Sequence, residues 1–197
     1  VVAFFVSRTN TYTVGIQLLQ RQEITQINAR LREKVQQDPL TGLFNKKIMK
    51  DSAEKALKQI GETGGVTFFI LDVDDFKAIN DSFGHPFGDY VLMEMASVLR
   101  KAFHADAYIG RIGGDEYAVL LNFAMDRESA VKKGEQLAAG MVRAKWQEIS
   151  VDVRCSVGVC VCTCQDVTYP QLYQEADSAL YAAKKCGKGQ CVLKVIS

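Results

Sequence analysis

A chain of 197 residues, 48% of them hydrophobic, can bury one substantial core with a smaller appended element. Its formal net charge of +1 excludes a global attraction to nucleic acid or to an anionic membrane surface, so anion binding has to come from a local cluster. The six cysteines do not read as a disulfide framework: Cys160, Cys162 and Cys164 alternate in an apolar run and share one strand face as small hydrophobes, with no CxxC pair to mark a zinc site.

Residues 1–6, followed by Ser7 and Arg8, are too few to span a bilayer, which takes about 20 apolar residues. They are either the cut end of a longer membrane helix with Arg8 on the cytoplasmic side or the end of an element from another domain. Residues 15–37 contain no proline, and Ile24, Ile27, Leu31 and Val35 make one apolar stripe at three-and-four spacing. So narrow a stripe needs a partner, either its copy in a dimer or the chain's own domain. We read 1–37 as a connector that relays a signal from a sensor or membrane segment. Asp38-Pro39 ends it, because the residue before proline avoids the α region.

The globular part, 38–197, alternates its elements. A helix is expected over 46–60, with Ile48, Ala53, Ala56, Leu57 and Ile60 inward and Gly61 as its stop. The continuous β-branched and aromatic run 66–71 predicts a central strand covered on both faces. A short helix over 75–83, with Phe76, Ile79 and Phe83 inward, and a longer one over 89–103 follow. Next come a hairpin over 107–122, a helix over 127–146, a strand over 151–162, a helix over 169–186 and a strand over 191–196. This order suits a mixed α/β sheet with helices packed on it.

Carboxylates gather at two strand ends. The hairpin carries Gly113-Gly114-Asp115-Glu116, in which Gly-Gly fits a two-residue type I′ turn. The central strand runs into Asp72-Val73-Asp74-Asp75. Were these strands neighbours, Asp72 and Asp115 or Glu116 would share a space that Mg²⁺ or Mn²⁺ relieves, a backbone carbonyl assisting. Lys77 and Asn80, three apart on the next helix, pair a point charge for a phosphate with a donor–acceptor group for a base edge. Asp89 reads as the N-cap of the longer helix, which leaves one carboxylate oxygen for a ligand. Lys184, Lys185 and Lys188 surround a helix C-terminus, where they complement the dipole or clasp a polyphosphate.

With these residues in view, the chain from 38 to 195 resembles the GGDEF family of diguanylate cyclases. The resemblance rests on Asp38-Pro-Leu-Thr-Gly-Leu43 with Asn45, Asp72-Val-Asp-Asp-Phe-Lys-Ala-Ile-Asn80 with Asp81, Gly84-His85 with Gly88-Asp89, and Arg111-Ile-Gly-Gly-Asp-Glu-Tyr117. Ser156-Val-Gly158 and Ala176-Asp-Ser-Ala-Leu-Tyr-Ala-Ala-Lys184 complete it. The resemblance implies a ferredoxin-like palm that condenses two GTP into cyclic di-GMP and two pyrophosphates, each subunit of a homodimer binding one GTP. By position, Asp72, the Val73 carbonyl, Asp115 and Glu116 would hold two Mg²⁺ or Mn²⁺ per half-site, Glu116 also serving the attacking 3′-hydroxyl. Lys77, Lys184, Lys188 and the amides around Phe76 would take the triphosphate, Gly113 and Gly114 would let the nucleotide approach, and Asn80 and Asp89 would read guanine.

The sequence departs from the family pattern in places. Tyr117 stands where phenylalanine is usual, and its hydroxyl needs a partner if buried. Lys188 replaces an arginine, giving a point charge in place of a planar fork. His104 and Ala107 stand where the family's inhibitory product site carries Arg and Asp. The competing expectation is a non-catalytic GTP-sensing or interaction domain of the same fold. A cytoplasmic domain, free or tethered to the inner membrane face, with no nucleic-acid partner, fits either.

Overall fold

A computed structural model describes Arg21 and residues 36–197, save 104, 140, 141, 147 and 148. The chain divides into two compact units, 1–36 and 37–197. The expected connector helix, its stripe of Ile24, Ile27, Leu31 and Val35, the apolar start with Arg8, and His104 lie outside the described residues. No helix among the described residues is long and apolar enough to cross a membrane.

The second unit runs β1 (Phe44–Asn45), α1 (Lys46–Lys58), α2 (Ile60–Thr63), β2 (Val66–Val73), α3 (Phe76–Phe83), α4 (His85–Ala102), β3 (Tyr108–Arg111) and β4 (Glu116–Leu121). It continues with α5 (Arg127–Ala139), β5 (Val142–Trp146), β6 (Ile149–Val153), β7 (Cys155–Cys162), α6 (Tyr169–Lys185) and β8 (Cys191–Ile196). One six-stranded sheet has the order β1-β3-β4-β2-β7-β8, and β5 and β6 form a separate hairpin. The large sheet is mixed, with β2 antiparallel to both β4 and β7 and with β1–β3 and β7–β8 parallel.

Every residue of β2 is buried, as its unbroken apolar run requires of a strand covered on both faces. Its even positions Phe68 and Ile70 join Ala118, Leu120, Cys160 and Cys162 beneath Met49, Ala53, Leu172, Ala176 and Leu180 of α1 and α6. Its odd positions Phe69, Leu71 and Val73 pack with Tyr117, Val119 and Val159 against Phe87, Val91, Leu92, Met95 and Leu99 of α4 and Leu137 of α5. The strand period of two therefore decides which layer each side chain enters. Asp72 continues the row that faces α6.

Several sequence expectations need correction. The first helix stops at Lys58, and Gly64 at φ 76° ends the four-residue α2, so Gly61 is not its stop. Met49 and Ala53 are its fully buried residues, whereas Ile48 is half-buried. α4 starts at His85 with Pro86 in its first turn, so Asp89 lies within the helix and is not an N-cap. The helix expected over 127–146 ends at Ala139, and 142–146 pairs as β5 with β6. The strand expected over 151–162 is two strands in different sheets, because Arg154 breaks the run and its carbonyl accepts the Asp74 N–H at 3.0 Å. Phe83, read as inward, is 40% exposed. Among the cysteines, Cys155, Cys160 and Cys162 are buried and all six thiols are free. Burial pushes the Cys155 and Cys160 thiols up to about 12, which leaves them protonated and inert at neutral pH.

Candidate active site

The carboxylates meet where β2 and β4 end together. Register pairs Asp72 with Glu116, and directly opposed residues of an antiparallel pair share a face. The Val73 N–H donates to the Asp115 carbonyl at 3.2 Å, which ties the signature turn to the end of β2. Burial pushes the Asp72 carboxyl up, Lys184 draws it down, and the charges of Asp115 and Glu116 push it up again. Asp72, 7% exposed, thus feels the charges of two half-buried acids at a place that water only partly reaches.

The cation facing them comes from α6. Its Lys184 ammonium lies 2.8 Å from Asp72 Oδ1. The helix sits close enough because Gly158 of β7 has no Cβ; one added there would meet the Ala176 carbonyl at 2.2 Å and the Leu180 nitrogen at 2.4 Å. Beyond the helix, Lys188, at φ 62°, places its ammonium 2.7 Å from Asp75 Oδ1. Two of the three lysines assigned to phosphate, Lys184 and Lys188, are therefore at the carboxylate end of β2, held by its acids.

Asp74 is a residue whose part sequence reasoning missed. It is buried, its Oδ1 accepts the Ser156 hydroxyl at 2.7 Å, and its Oδ2 accepts the Gly189 N–H at 2.9 Å. The carboxylate thereby fixes the loop that carries Lys188. Only its place in the acidic run and the separate Ser156 block hinted at the pairing, since 82 residues separate the partners.

A second missed group steadies the turn. Arg111 donates from Nη2 and Nε to the Gly114 carbonyl at 2.6 and 3.0 Å, and from Nη1 to both oxygens of Asp38 at 3.2 and 3.3 Å. Asp38 Oδ1 also accepts the N–H and hydroxyl of Thr41 at 2.8 and 2.7 Å. Burial opposes the Asp38 charge, but the Thr41 hydrogen bonds and Arg111 outweigh it and hold the carboxyl below its ordinary range.

The turn itself is not the two-residue type I′ loop expected from Gly-Gly. The Ile112 and Gly113 N–H groups both donate to the Glu116 carbonyl, at 2.9 and 3.3 Å, and neither Gly113 nor Gly114 has the positive φ that type requires. What the glycines supply is room: a Cβ on Gly113 would strike Glu116 Oε2 at 2.4 Å, and the space around Gly114 is open.

A second cluster lies on α3 and α4. Asn80 sits against Gly88, where a Cβ would come within 1.9 Å of its Oδ1, so the carboxamide is one residue from the exposed Asp89. α3 begins at Phe76, immediately after Asp75, and its first N–H groups have no intrahelical acceptor. Lys77 is exposed on the same helix. Predicted phosphate and base residues thus lie about a turn apart, Phe76 and Lys77 in the first turn of α3 and Asn80 at its middle beside α4.

Comparisons with known proteins give the family. The family described as diguanylate cyclase, GGDEF domain, matches residues 35–190. The chain belongs to the GGDEF domain family. Among curated relatives, the GGDEF chain is 34% identical over 161 residues to diguanylate cyclase DgcP of Pseudomonas aeruginosa, covering 80% of this chain and 24% of the relative. It is 32% identical over 152 residues to diguanylate cyclase DgcS of Shewanella oneidensis, covering 77% and 50%. Among solved structures, diguanylate cyclase SiaD of Pseudomonas aeruginosa, in complex with its activator SiaC, superimposes with a TM-score of 0.74 at 28% identity, covering 95% of this chain and 72% of SiaD. The GGDEF chain therefore spans a quarter to a half of these curated relatives.

The acids of the GGDEF site suit a divalent cation. Asp72 and Glu116 oppose like charges at a buried strand end, and an ammonium already answers one of them. Among the described residues no group of three His, Cys, Asp or Glu side chains is arranged to hold a metal ion, so a cation here would need further oxygens from a backbone carbonyl or a bound phosphate.

Proposed function

We propose that this GGDEF chain is a diguanylate cyclase that condenses two GTP into cyclic di-GMP and two pyrophosphates. The observation that carries the reading is the register Asp72–Glu116, with Asp115 beside it and Lys184 at 2.8 Å. Acids at a strand end paired with lysine ammonium groups suit phosphoryl transfer, where catalysis is positioning plus stabilisation of charge.

Asp72, the Val73 carbonyl, Asp115 and Glu116 would hold two Mg²⁺ or Mn²⁺. Bound there, the ions lower the pKa of the attacking 3′-hydroxyl and neutralise charge on the phosphates. In each of two transfers a 3′-oxygen forms a bond to the α-phosphorus of the other GTP, and the bond from that phosphorus to the leaving pyrophosphate oxygen breaks. Glu116 would take the hydroxyl proton. Lys184 and Lys188, released from Asp72 and Asp75, would bind the triphosphate with Lys77 and the amides at the start of α3. At the other end, Asp89 accepts guanine N1–H and its exocyclic amine, while Asn80 donates to the carbonyl edge. Adenine cannot satisfy that pair, and a carboxylate left unmatched rejects it.

Each subunit holds one GTP, so two half-sites must face each other and the working species is a homodimer. We place the domain in the cytoplasm, where GTP is found, with 1–37 linking it to a sensor or membrane segment. The decisive experiment incubates the chain with GTP and Mg²⁺ and looks for cyclic di-GMP by mass spectrometry. Product that disappears in Asp115→Asn supports the reading. GTP binding without product at high protein concentration would instead support the non-catalytic alternative.

A further inference from the structure

The chain has a single tryptophan, and it lies outside every group assigned above to nucleotide or metal. Trp146 is the last residue of β5, on the separate hairpin. Its indole lies over Phe87, with centroids 6.0 Å apart and planes 20° apart, and over Tyr90, at 6.2 Å and 24°. Phe87 also packs on Phe83 at 5.1 Å and on Tyr90 at 6.3 Å. Phe83 is the last residue of α3, and Phe87 and Tyr90 flank Gly88 and Asp89 in the first turns of α4.

The cluster thus grips the helix junction that carries both base-reading candidates. Phe87 and Tyr90 are three apart and share one helix face, whereas Asp89 is exposed to solvent. The backbone ties this junction through Gly84 alone: its N–H donates to the Asn80 carbonyl at 2.8 Å, and its carbonyl is shared by the Phe87 and Gly88 N–H groups at 3.2 Å each. No side chain caps the start of α4. Something outside the helix has to hold Asp89 at a fixed distance from Asn80. The stacked indole does so, and its hairpin is fastened at the far end, where Val153 is buried and the next residue, Arg154, accepts the Asp74 N–H.

We infer that Trp146 is a positioning residue for guanine recognition, holding the first turns of α4 through Phe87 and Tyr90 so that Asp89 and Asn80 meet the base together. The inference rests on the reading that these two residues take guanine. A base-reading pair has to be held within a fraction of an ångström, and sites gain that precision from neighbours locked by packing. The small hairpin is therefore a brace that spans from the phosphate-side loop to the base-reading edge.

The test compares the whole chain with Trp146→Ala, Trp146→Phe and Asp89→Ser. Trp146→Ala is expected to raise KM for GTP about tenfold and narrow the preference for GTP over ATP, with kcat changed by less than about twofold. Trp146→Phe keeps a stacking ring and is expected to restore both. In the unsubstituted chain, GDP without divalent cation is expected to shift the emission of the single tryptophan, and ADP is not. A folded Trp146→Ala with unchanged KM and unchanged preference overturns the inference. Should that variant fail to fold, emission that does not move at GDP concentrations shown by calorimetry to saturate the site overturns it instead. If Asp89→Ser relaxes the preference and Trp146→Ala does not, the brace alone is refuted. If Asp89→Ser leaves the preference intact, the guanine assignment falls and the brace with it.

Discussion

Lys184 Nζ lies 2.8 Å from Asp72 Oδ1, so the cation proposed for the triphosphate is spent on a carboxylate proposed for the metal. Substrate and metal binding must then be coupled, since each releases the partner the other needs. Lys184→Met is expected to weaken GTP binding, because a phosphate contact is lost. The same change should tighten Mn²⁺ binding to the nucleotide-free chain severalfold, because the competitor for Asp72 is gone. Calorimetric titrations of GTP and of Mn²⁺ measure both, and unaltered Mn²⁺ affinity would contradict the coupling. Stability should fall by about 1–3 kcal/mol, as expected when a poorly hydrated carboxylate loses its charged partner.

Asp72→Asn addresses the same cluster from the other side. Burial raises the Asp72 carboxyl and the charges of Asp115 and Glu116 add to it, against Lys184. A raised carboxyl binds its proton more tightly folded than unfolded, so the ionised form costs stability at neutral pH, and the cost is relieved as pH falls through the folded value. The amide removes that cost. Asp72→Asn is expected to raise Tm by a few degrees and to abolish cyclic di-GMP formation; Mg²⁺ is expected to raise the Tm of the unsubstituted chain and not that of the variant. A variant that remains active would refute Asp72 as a ligand.

Periodicity carried much of this architecture. The unbroken apolar run ending in Asp72 announced a strand covered on both faces, and the period of two then placed Asp72 with Phe68 and Ile70 on the α6 side. The pairing of Asp72 with Glu116 needed the sheet order, which no local pattern contains. Contacts between distant residues were the least legible: Asp74 with Ser156 and Gly189, and Arg111 with Asp38, join segments that only the folded sheet brings together. Trp146 falls in the segment expected as helix for a different reason: its pairing with Ile149 across the β5–β6 hairpin is a contact between strands that the pattern of 142–146 alone does not announce.

The Arg111 clamp predicts a pH effect. Asp38 is held below its ordinary value, so its contribution to stability is present above pH of about 4 and is lost as pH falls through the lower folded value. Asp38→Asn should therefore lower Tm at pH 7 and flatten its fall in acid relative to the unsubstituted chain. Arg111→Lys keeps the charge but cannot hold Asp38 and the Gly114 carbonyl with one planar fork. It is expected to cut kcat about tenfold or more with the fold intact, because the signature turn loses its anchor. Thermal scans across pH and steady-state kinetics check the two claims, and full turnover by Arg111→Lys would show that the clamp does not hold the turn.

Tyr117 separates structure from chemistry within the signature. Its ring lies on the α4 face of β4, opposite to Glu116, and its hydroxyl donates to the Leu92 carbonyl at 2.8 Å. That bond answers the need created by the extra oxygen, and burial pushes the phenol well above its usual range, so it stays protonated at working pH. Tyr117→Phe removes the donor, leaves the ring in place, and leaves Leu92 its bond within α4. The expected loss is about 0.5–1.5 kcal/mol in stability, with kcat and KM for GTP unchanged within about twofold. Denaturant unfolding and initial-rate kinetics on the same preparation decide it. A large fall in kcat would mean that the hydroxyl reaches the reacting groups, which its partner on α4 does not allow.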